Sequence, residues 1–399
     1  MRGNFLTQKE GKNTQLKKKI LSLCVEDGKY SIAELSKHTG TSVPTVTKLI
    51  NELIEEGFLV DLGKLGTSGG RRPSIYGLNP TAGYFIGVDV GPHAASIAVT
   101  DFKGELISYK EDTPFQMEAR EENYHRIADS IRRFFLQNNL DWSKALGCGV
   151  SFTGRVNPST GYSYSYSFDE KVPVDKILSD DLGFPVYIEN DSRAMTYGEY
   201  LSNKKNEQNM LFVNISWGLG MGMVLNKKLF YGKSGFSGEV GHFPFFENDI
   251  ICRCGKVGCL ETGVSGSALY RMVQERLKEG RASSLSEKYK KDGKISLDDI
   301  LQAVSEEDVL AIEVVEEIGS SLGRVLAGLI NIFNPEVVVI GGRLAVGGDY
   351  LMLPIRSTVR RLAQNYVAKD TTITFTKLGR KAGPVGDCLI ARSKMLDIL

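Results

Sequence analysis

EVGHFPFFENDIICRCGKVGCLE, residues Glu239 to Glu261, is the stretch from which the rest of the chain can be read. Cys252, Cys254 and Cys259 fall within eight residues, and His242 stands ten positions upstream of the first of them. Gly255 and Gly258 lie between the last two cysteines and permit the tight turns that converging sulfurs need. Three thiolates and an imidazole make a Cys3His set suited to four-coordinate structural zinc. Carboxylates bound the stretch, so a closed knot would hold Glu239, His242 and Glu261 rigidly around its edge for a small polar ligand. The other readings are a disulfide, or cysteines that are merely buried. Six Cys in 399 residues, with no secretory segment, argue against a disulfide framework.

G-E-x-G-H followed by C-x-C-G-x-x-G-C-x-E resembles the sugar-site and zinc segment of the ROK family, which joins bacterial sugar kinases and sugar-responsive repressors. The resemblance runs upstream through Ile215-Ser-Trp-Gly-Leu-Gly-Met-Gly-Met223, Gly232 and Gly238, and more weakly covers the chain from residue 82 to the end. It implies an α/β body of the actin and hexokinase type, with a sugar bound in the cleft between two domains. Those domains are expected over residues 81–200 plus 382–399 and over 201–381.

The remaining residues, 1–80, differ in charge. They carry 12 Lys and Arg against 8 Asp and Glu, a net of +4, whereas the rest of the chain carries −3. A modestly basic module on a near-neutral body fits a nucleic-acid partner at the front end. A hydrophobic content of 42% and a charged content of 24% are ordinary for soluble globular domains, and the length calls for two or three of them. No apolar run approaches a membrane span and no signal-like segment opens the chain, so a cytoplasmic protein without a membrane partner is expected.

Within the front end, Leu16, Ile20, Leu21 and Cys24 recur at helical spacing, which places Lys17, Lys18 and Lys19 outside. Ser31 and Glu34 form an S-x-x-E capping box for a second helix. After Thr39-Gly40-Thr41, Ser42 caps a third helix over Val43–Glu55, with Val46, Leu49, Ile50 and Leu53 inward. Helix, short Gly-containing turn and helix make a helix-turn-helix. The exposed front of the third helix offers Ser42, Thr45, Thr47, Lys48 and Asn51 to base edges and phosphates. A strand from Gly57 and a return strand over Ser74–Leu78 enclose a basic tip with Arg71 and Arg72, which makes the motif winged. The alternative is a helical protein-interaction module. The G-G-R-R-P run and the module as a whole resemble the DNA-binding head that ROK repressors carry and ROK kinases lack.

Phe85 to Gly91 is an apolar strand ending in D-x-G. Asp89 and Gly91 occupy the place of a first phosphate loop, where glycine leaves backbone N–H groups accessible. ROK kinases read D-x-G-G-T-K there, whereas this chain reads Asp89-Val90-Gly91-Pro92-His93-Ala94. Proline removes a donor where donors are wanted, and the threonine and lysine are absent. The family resemblance, through their distance to Gly241-His242, makes Gly218, Gly220 and Gly222 the second phosphate-loop equivalent; the alternative is a scaffold role alone. Asn190 and Asp191 lie at the carboxyl end of a strand, a place suited to a ligand. The resemblance makes Asp191 the general base of a sugar kinase, although it can equally accept a hydrogen bond from a sugar hydroxyl without chemistry. Sugar contacts are expected from Asn190, Asp191, Glu239, His242 and Glu261, and metal ligation from His242, Cys252, Cys254 and Cys259.

The expectation is a DNA-binding repressor of sugar-metabolism genes, in the branch of the xylose and N-acetylglucosamine repressors. Its kinase-like body senses a sugar or sugar phosphate and alters operator binding as a homodimer or homotetramer. Structural zinc is expected, and ATP with magnesium is not. The alternative is an ATP-dependent sugar kinase with an accessory head.

Overall fold

The computed structural model describes residues 4–7, 11–64, 73–166, 172–203 and 207–399. It divides into two compact units, Met1–Ala194 joined by Gly383–Leu399, and Met195–Ala382.

After a short helix, Asn4–Thr7, the first unit has helices Lys12–Asp27, Ile32–Thr39 and Val43–Glu55. The capping box forms: the Glu34 amide donates to Ser31 Oγ at 3.3 Å and the Ser31 amide to Glu34 Oε2 at 2.8 Å. Gly40 then ends the second helix at φ 65°, a left-handed turn that favours glycine. Strands Leu59–Lys64 and Ser74–Leu78 pair antiparallel as the wing. A three-residue strand, Lys29–Ser31, also pairs with Ser74–Leu78; no periodicity marks so short a segment. Arg71 and Arg72, the expected wing-tip cations, lie outside the described residues.

Two local expectations are corrected. Ser42 stands at the N-cap but its hydroxyl meets Thr45 Oγ1 at 2.9 Å instead of capping a backbone amide. Lys17 and Lys18 are buried, not outside. Lys17 Nζ lies 2.9 Å from Glu52 on the third helix and 2.7 Å from Glu56 at its C-cap, and Lys18 Nζ lies 3.1 Å from Asp397 near the C-terminus. Their partners are distant in sequence, so helical spacing alone assigned the wrong face.

The same unit holds a five-stranded sheet in the order Val186–Asn190, Ala145–Phe152, Tyr84–Val90, Ala94–Asp101, Leu106–Pro114. Helix Glu121–Gln137 covers one face with Tyr124, Ile127, Ile131, Phe134 and Phe135. The C-terminal helix, Ala382–Met395, lies directly on the sheet. A Cβ on Gly87 would stand 1.8 Å from the Pro384 carbonyl, and one on Gly149 would stand 2.2 Å from that of Asp387. Only glycine permits that approach.

A line of rings fastens the head to this sheet. Phe5 meets Phe58 at 5.2 Å, Phe58 meets Phe102 at 5.3 Å, and Phe102 stacks on Phe85 at 5.8 Å between centroids. Phe58, Phe85 and Phe102 are fully buried, and the Phe102 amide donates to the Pro80 carbonyl.

In the second unit the sheet order is Lys228–Leu229, Leu219–Leu225, Met210–Ile215, Val337–Gly341, Thr372–Phe375. Helix Val309–Phe333 packs closely on helix Gly348–Leu362: a Cβ on Gly319 or Gly323 would meet the Leu351 or Ile355 carbonyl within 3 Å. Residues 281–294, whose charge pattern reads as an exposed excursion, contain a short helix, Ser286–Asp292, and send Leu285 into the core. Among the described residues no helix is long and apolar enough to cross a membrane.

Candidate functional site

In the second unit, His242, Cys252, Cys254 and Cys259 converge, their donor atoms all within 4.8 Å of one another. Cys252 Sγ lies 3.5 Å from His242 Nδ1, and Cys254 Sγ lies 3.6 Å from Cys259 Sγ. Two thiolates about 2.3 Å from a tetrahedral ion stand about 3.8 Å apart, and a thiolate and an imidazole about 3.5 Å apart. These two separations match edges of a tetrahedral site, and the cluster as a whole could hold a metal ion. Burial raises the Cys252 and Cys259 thiols above their ordinary range, so a bound cation would supply the charge that deprotonates them.

Local backbone chemistry builds this geometry. Gly255 and Gly258 take φ 84° and 74°. A Cβ on Gly258 would stand 2.4 Å from the Phe246 carbonyl, and one on Gly238 would stand 1.9 Å from that of Met221. Gly258 thus closes the knot on itself, and Gly238 sets it against strand Leu219–Leu225.

The two carboxylates at the ends of the motif take different places. Glu261 turns Oε1 to Cys252 Sγ at 3.6 Å and accepts the Leu219 amide on Oε2 at 2.9 Å. Glu239 is exposed, with Oε2 3.6 Å from His242 Nε2. His242 therefore presents Nδ1 to the sulfurs and Nε2 to a carboxylate, the arrangement that orients a metal-bound imidazole.

In the first unit, Asn190 and Asp191 follow strand Val186–Asn190 into helix Asp191–Ser202. Asn190 Oδ1 accepts the Arg193 amide at 3.1 Å, while its Nδ2 donates to the Gly154 carbonyl and to Asp191 Oδ1. Burial lifts the Asp191 carboxyl to about 6, against hydrogen bonds from Ser192 and Thr153 that lower it. Asp89 is raised to about 7, by burial first and then by the negative charge of Asp191. Sequence patterns did not reveal a third member. Asp387, on the C-terminal helix, is fully buried and accepts the Ser151 hydroxyl at 2.7 Å. Burial and then Asp89 push its carboxyl well above the ordinary range. The parallel register sets Ser151 beside Asp89, whereas Asp387 arrives from 236 residues away.

At the expected first phosphate loop the Gly91 amide donates to the Ala94 carbonyl at 2.9 Å, closing a two-residue turn over Pro92 and His93. The Pro92 and His93 carbonyls accept the Met117 and Phe115 amides. Pro92 has no donor and the Gly91 donor is taken, so the turn lacks the ring of free amides that holds a phosphate. Of the second set, Gly220 and Gly222 sit within strand Leu219–Leu225 opposite Asn214 and Phe212, while Gly218 lies at the turn just before it. A Cβ on Gly218 would stand 2.6 Å from Glu261 Oε2.

On the third head helix, Ser42, Lys48 and Asn51 are exposed, and Thr45 and Thr47 are half-buried. Thr47 Oγ1 donates to the Val43 carbonyl at 2.8 Å, and Lys48 lies 3.9 Å from Glu52. Lys48 Nζ is thus left largely to solvent.

A winged helix-turn-helix DNA-binding profile matches residues 14–60. The xylose repressor of Caldicellulosiruptor bescii is 29% identical over 395 residues, 96% of this chain and 97% of that protein. The glucokinase of Halalkalibacterium halodurans is 30% identical over 308 residues, 76% of this chain and 93% of that protein. A solved ROK family transcriptional regulator, a homologue of the E. coli MLC protein, matches with a TM-score of 0.81. That match covers 97% of this chain and 98% of the other at 24% identity, and it shows the fold alone. The ROK family profile itself matches residues 85–394, and the chain belongs to the ROK family.

Proposed function

We propose that this protein is a transcriptional repressor of sugar-metabolism genes, its kinase-like body a sugar sensor. One observation carries the reading: a winged helix-turn-helix head is joined to a ROK body whose first phosphate loop is closed by Pro92 and His93. Phosphoryl transfer depends on positioning and neutralising phosphates, so this loop counts against ATP and magnesium. The head, residues 1–80, binds operator DNA through Ser42, Thr45, Thr47, Lys48, Asn51, Arg71 and Arg72. Body domains over 81–200 plus 382–399 and over 201–381 bind a sugar or sugar phosphate. Zinc is the metal held by His242, Cys252, Cys254 and Cys259. It fixes His242 as an Nε2–H donor beside Glu239, and these two with Glu261 grip sugar hydroxyls. Asn190 and Asp191 are assigned to the same ligand. The repressor acts in the cytoplasm as a homodimer or homotetramer on paired half-sites, and the sugar changes DNA affinity by favouring one conformation.

The test is a thermal-shift screen of monosaccharides and their phosphates, followed by fluorescence anisotropy on DNA from upstream of the chain's own coding region. A cognate sugar raises the melting temperature and alters DNA affinity, while ATP with magnesium does neither. Glu239→Gln or Glu261→Gln removes the sugar response and leaves DNA binding intact. The raised Asp191 carboxyl, in the range of a general base, favours kinase activity as the second reading. ATP turnover with a hexose that Asp191→Asn eliminates decides for the enzyme.

A further inference from the structure

The first unit contains a cavity of about 180 Å³ between edge strand Leu106–Pro114 and helix Glu121–Gln137. Its lining includes Lys110, Arg126 and Arg133 and no carboxylate. Arg126, Ser130 and Arg133 share one helix face by their i, i+4, i+7 spacing. Lys110 and Thr113 reach the same cavity because the strand carries a bulge. Pairing slips by one residue between Ala95–Thr113 and Ile97–Lys110, and Asp112 takes φ 41°. Without that bulge, residues three apart on a strand would face opposite ways.

The three cations are solvent-exposed, and among the described residues they have no counter-charge. Arg126 donates to Asn123 Oδ1 at 2.8 Å and lies 5.0 Å over the Phe115 ring; Arg133 donates to Ser130 Oγ at 3.1 Å. Asp129 on the same helix is already paired with Arg132 at 2.8 Å. Among the described residues none of the three cations forms an ion pair, and the buried Thr113 hydroxyl has no hydrogen-bond partner. Like charges lining one cavity with an unsatisfied hydroxyl are an arrangement completed by an anion with several acceptor oxygens. Guanidinium groups suit the planar, two-point binding of phosphate.

We propose that this cavity is a second ligand site, taking the phosphate group of a small molecule, distinct from the residues assigned to the sugar. The site stands whether or not the sugar reading holds. The test is calorimetric titration of the full chain with inorganic phosphate and with glycerol 1-phosphate, against chloride at matched ionic strength. One saturable site per chain is expected. Lys110→Ala/Arg133→Ala weakens it at least tenfold, with the unliganded melting temperature and DNA binding unchanged; Arg133→Gln serves if the double variant does not fold. Tighter binding of glycerol 1-phosphate identifies a phosphorylated metabolite as the source, and equal binding identifies the free ion. Absence of a saturable site, or equal affinity in the variants, overturns the proposal. So does a double variant that loses DNA affinity in phosphate-free buffer, which would make the groove part of the DNA surface.

Discussion

Replacing Phe102 by alanine tests whether the head and the sheet of the first unit behave as one body. Phe102 is fully buried, with Phe58 of the head at 5.3 Å on one side and Phe85 of the sheet at 5.8 Å on the other. Truncating a buried phenylalanine costs about 3–5 kcal/mol, of which each ring pair contributes about 0.5–1.5 kcal/mol. The other links are weaker. Lys18–Asp397 has its carboxylate 63% exposed, and such pairs contribute about 0–1 kcal/mol. The Phe102–Pro80 backbone bond survives the change. For a module of this size, about 1 kcal/mol moves the melting temperature by roughly 4–8 °C. Scanning calorimetry of Phe102→Ala should therefore resolve a head transition more than about 10 °C below the body, whereas the wild type is expected to melt in one joint transition. DNA binding near 20 °C should persist while its response to sugar is lost. Leu136→Ala, at a position 78% exposed, is the control and should change stability by less than about 0.5 kcal/mol. A single unshifted transition in Phe102→Ala, or an intact sugar response, would refute the coupling.

Other outcomes follow from the sites. Cys254→Ser should release about one zinc per chain on elemental analysis and lower the melting of the second unit, because a structural metal contributes folding energy directly. Lys48→Ala, and Arg71→Ala with Arg72→Ala, should weaken DNA binding and flatten the slope of log affinity against log salt by about 1 for each phosphate no longer neutralised. Asp89 and Asp191 titrate near 7 and 6 when folded, against 3.8 as free groups. Folding therefore takes up protons in that window, and the stability these groups contribute, fully present below about pH 4, is lost as pH rises through 6 and 7. Melting curves of Asp89→Asn from pH 5 to 8 should fall less steeply than those of the wild type; parallel curves would count against the raised carboxyls.

Much of this protein is legible in one dimension. The capping box of Ser31 and Glu34, the helix over Val43–Glu55 and the strand ending just before Gly91 rest on interactions within a few residues, which local sequence dictates. The knot is nearly as local, since His242 to Cys259 close a short loop whose glycines have to adopt φ angles that other residues resist. Pro92 likewise declares its missing donor without reference to any neighbour. Tertiary structure alone decided the rest. Lys17 and Lys18 look solvent-facing by period, yet Glu52, Glu56 and Asp397 draw them inward. Asp387 gives no signal on its helix until folding sets it on Ser151, 236 residues away. Phe58, Phe85 and Phe102 read as separate core residues and become one column only when head and sheet meet. Lys110, Arg126 and Arg133 come together because a bulge turns one strand side chain towards a helix face. Spacing encodes what a side chain does within its own element. Which distant group it meets depends on packing, and there burial turns ordinary charges into sites.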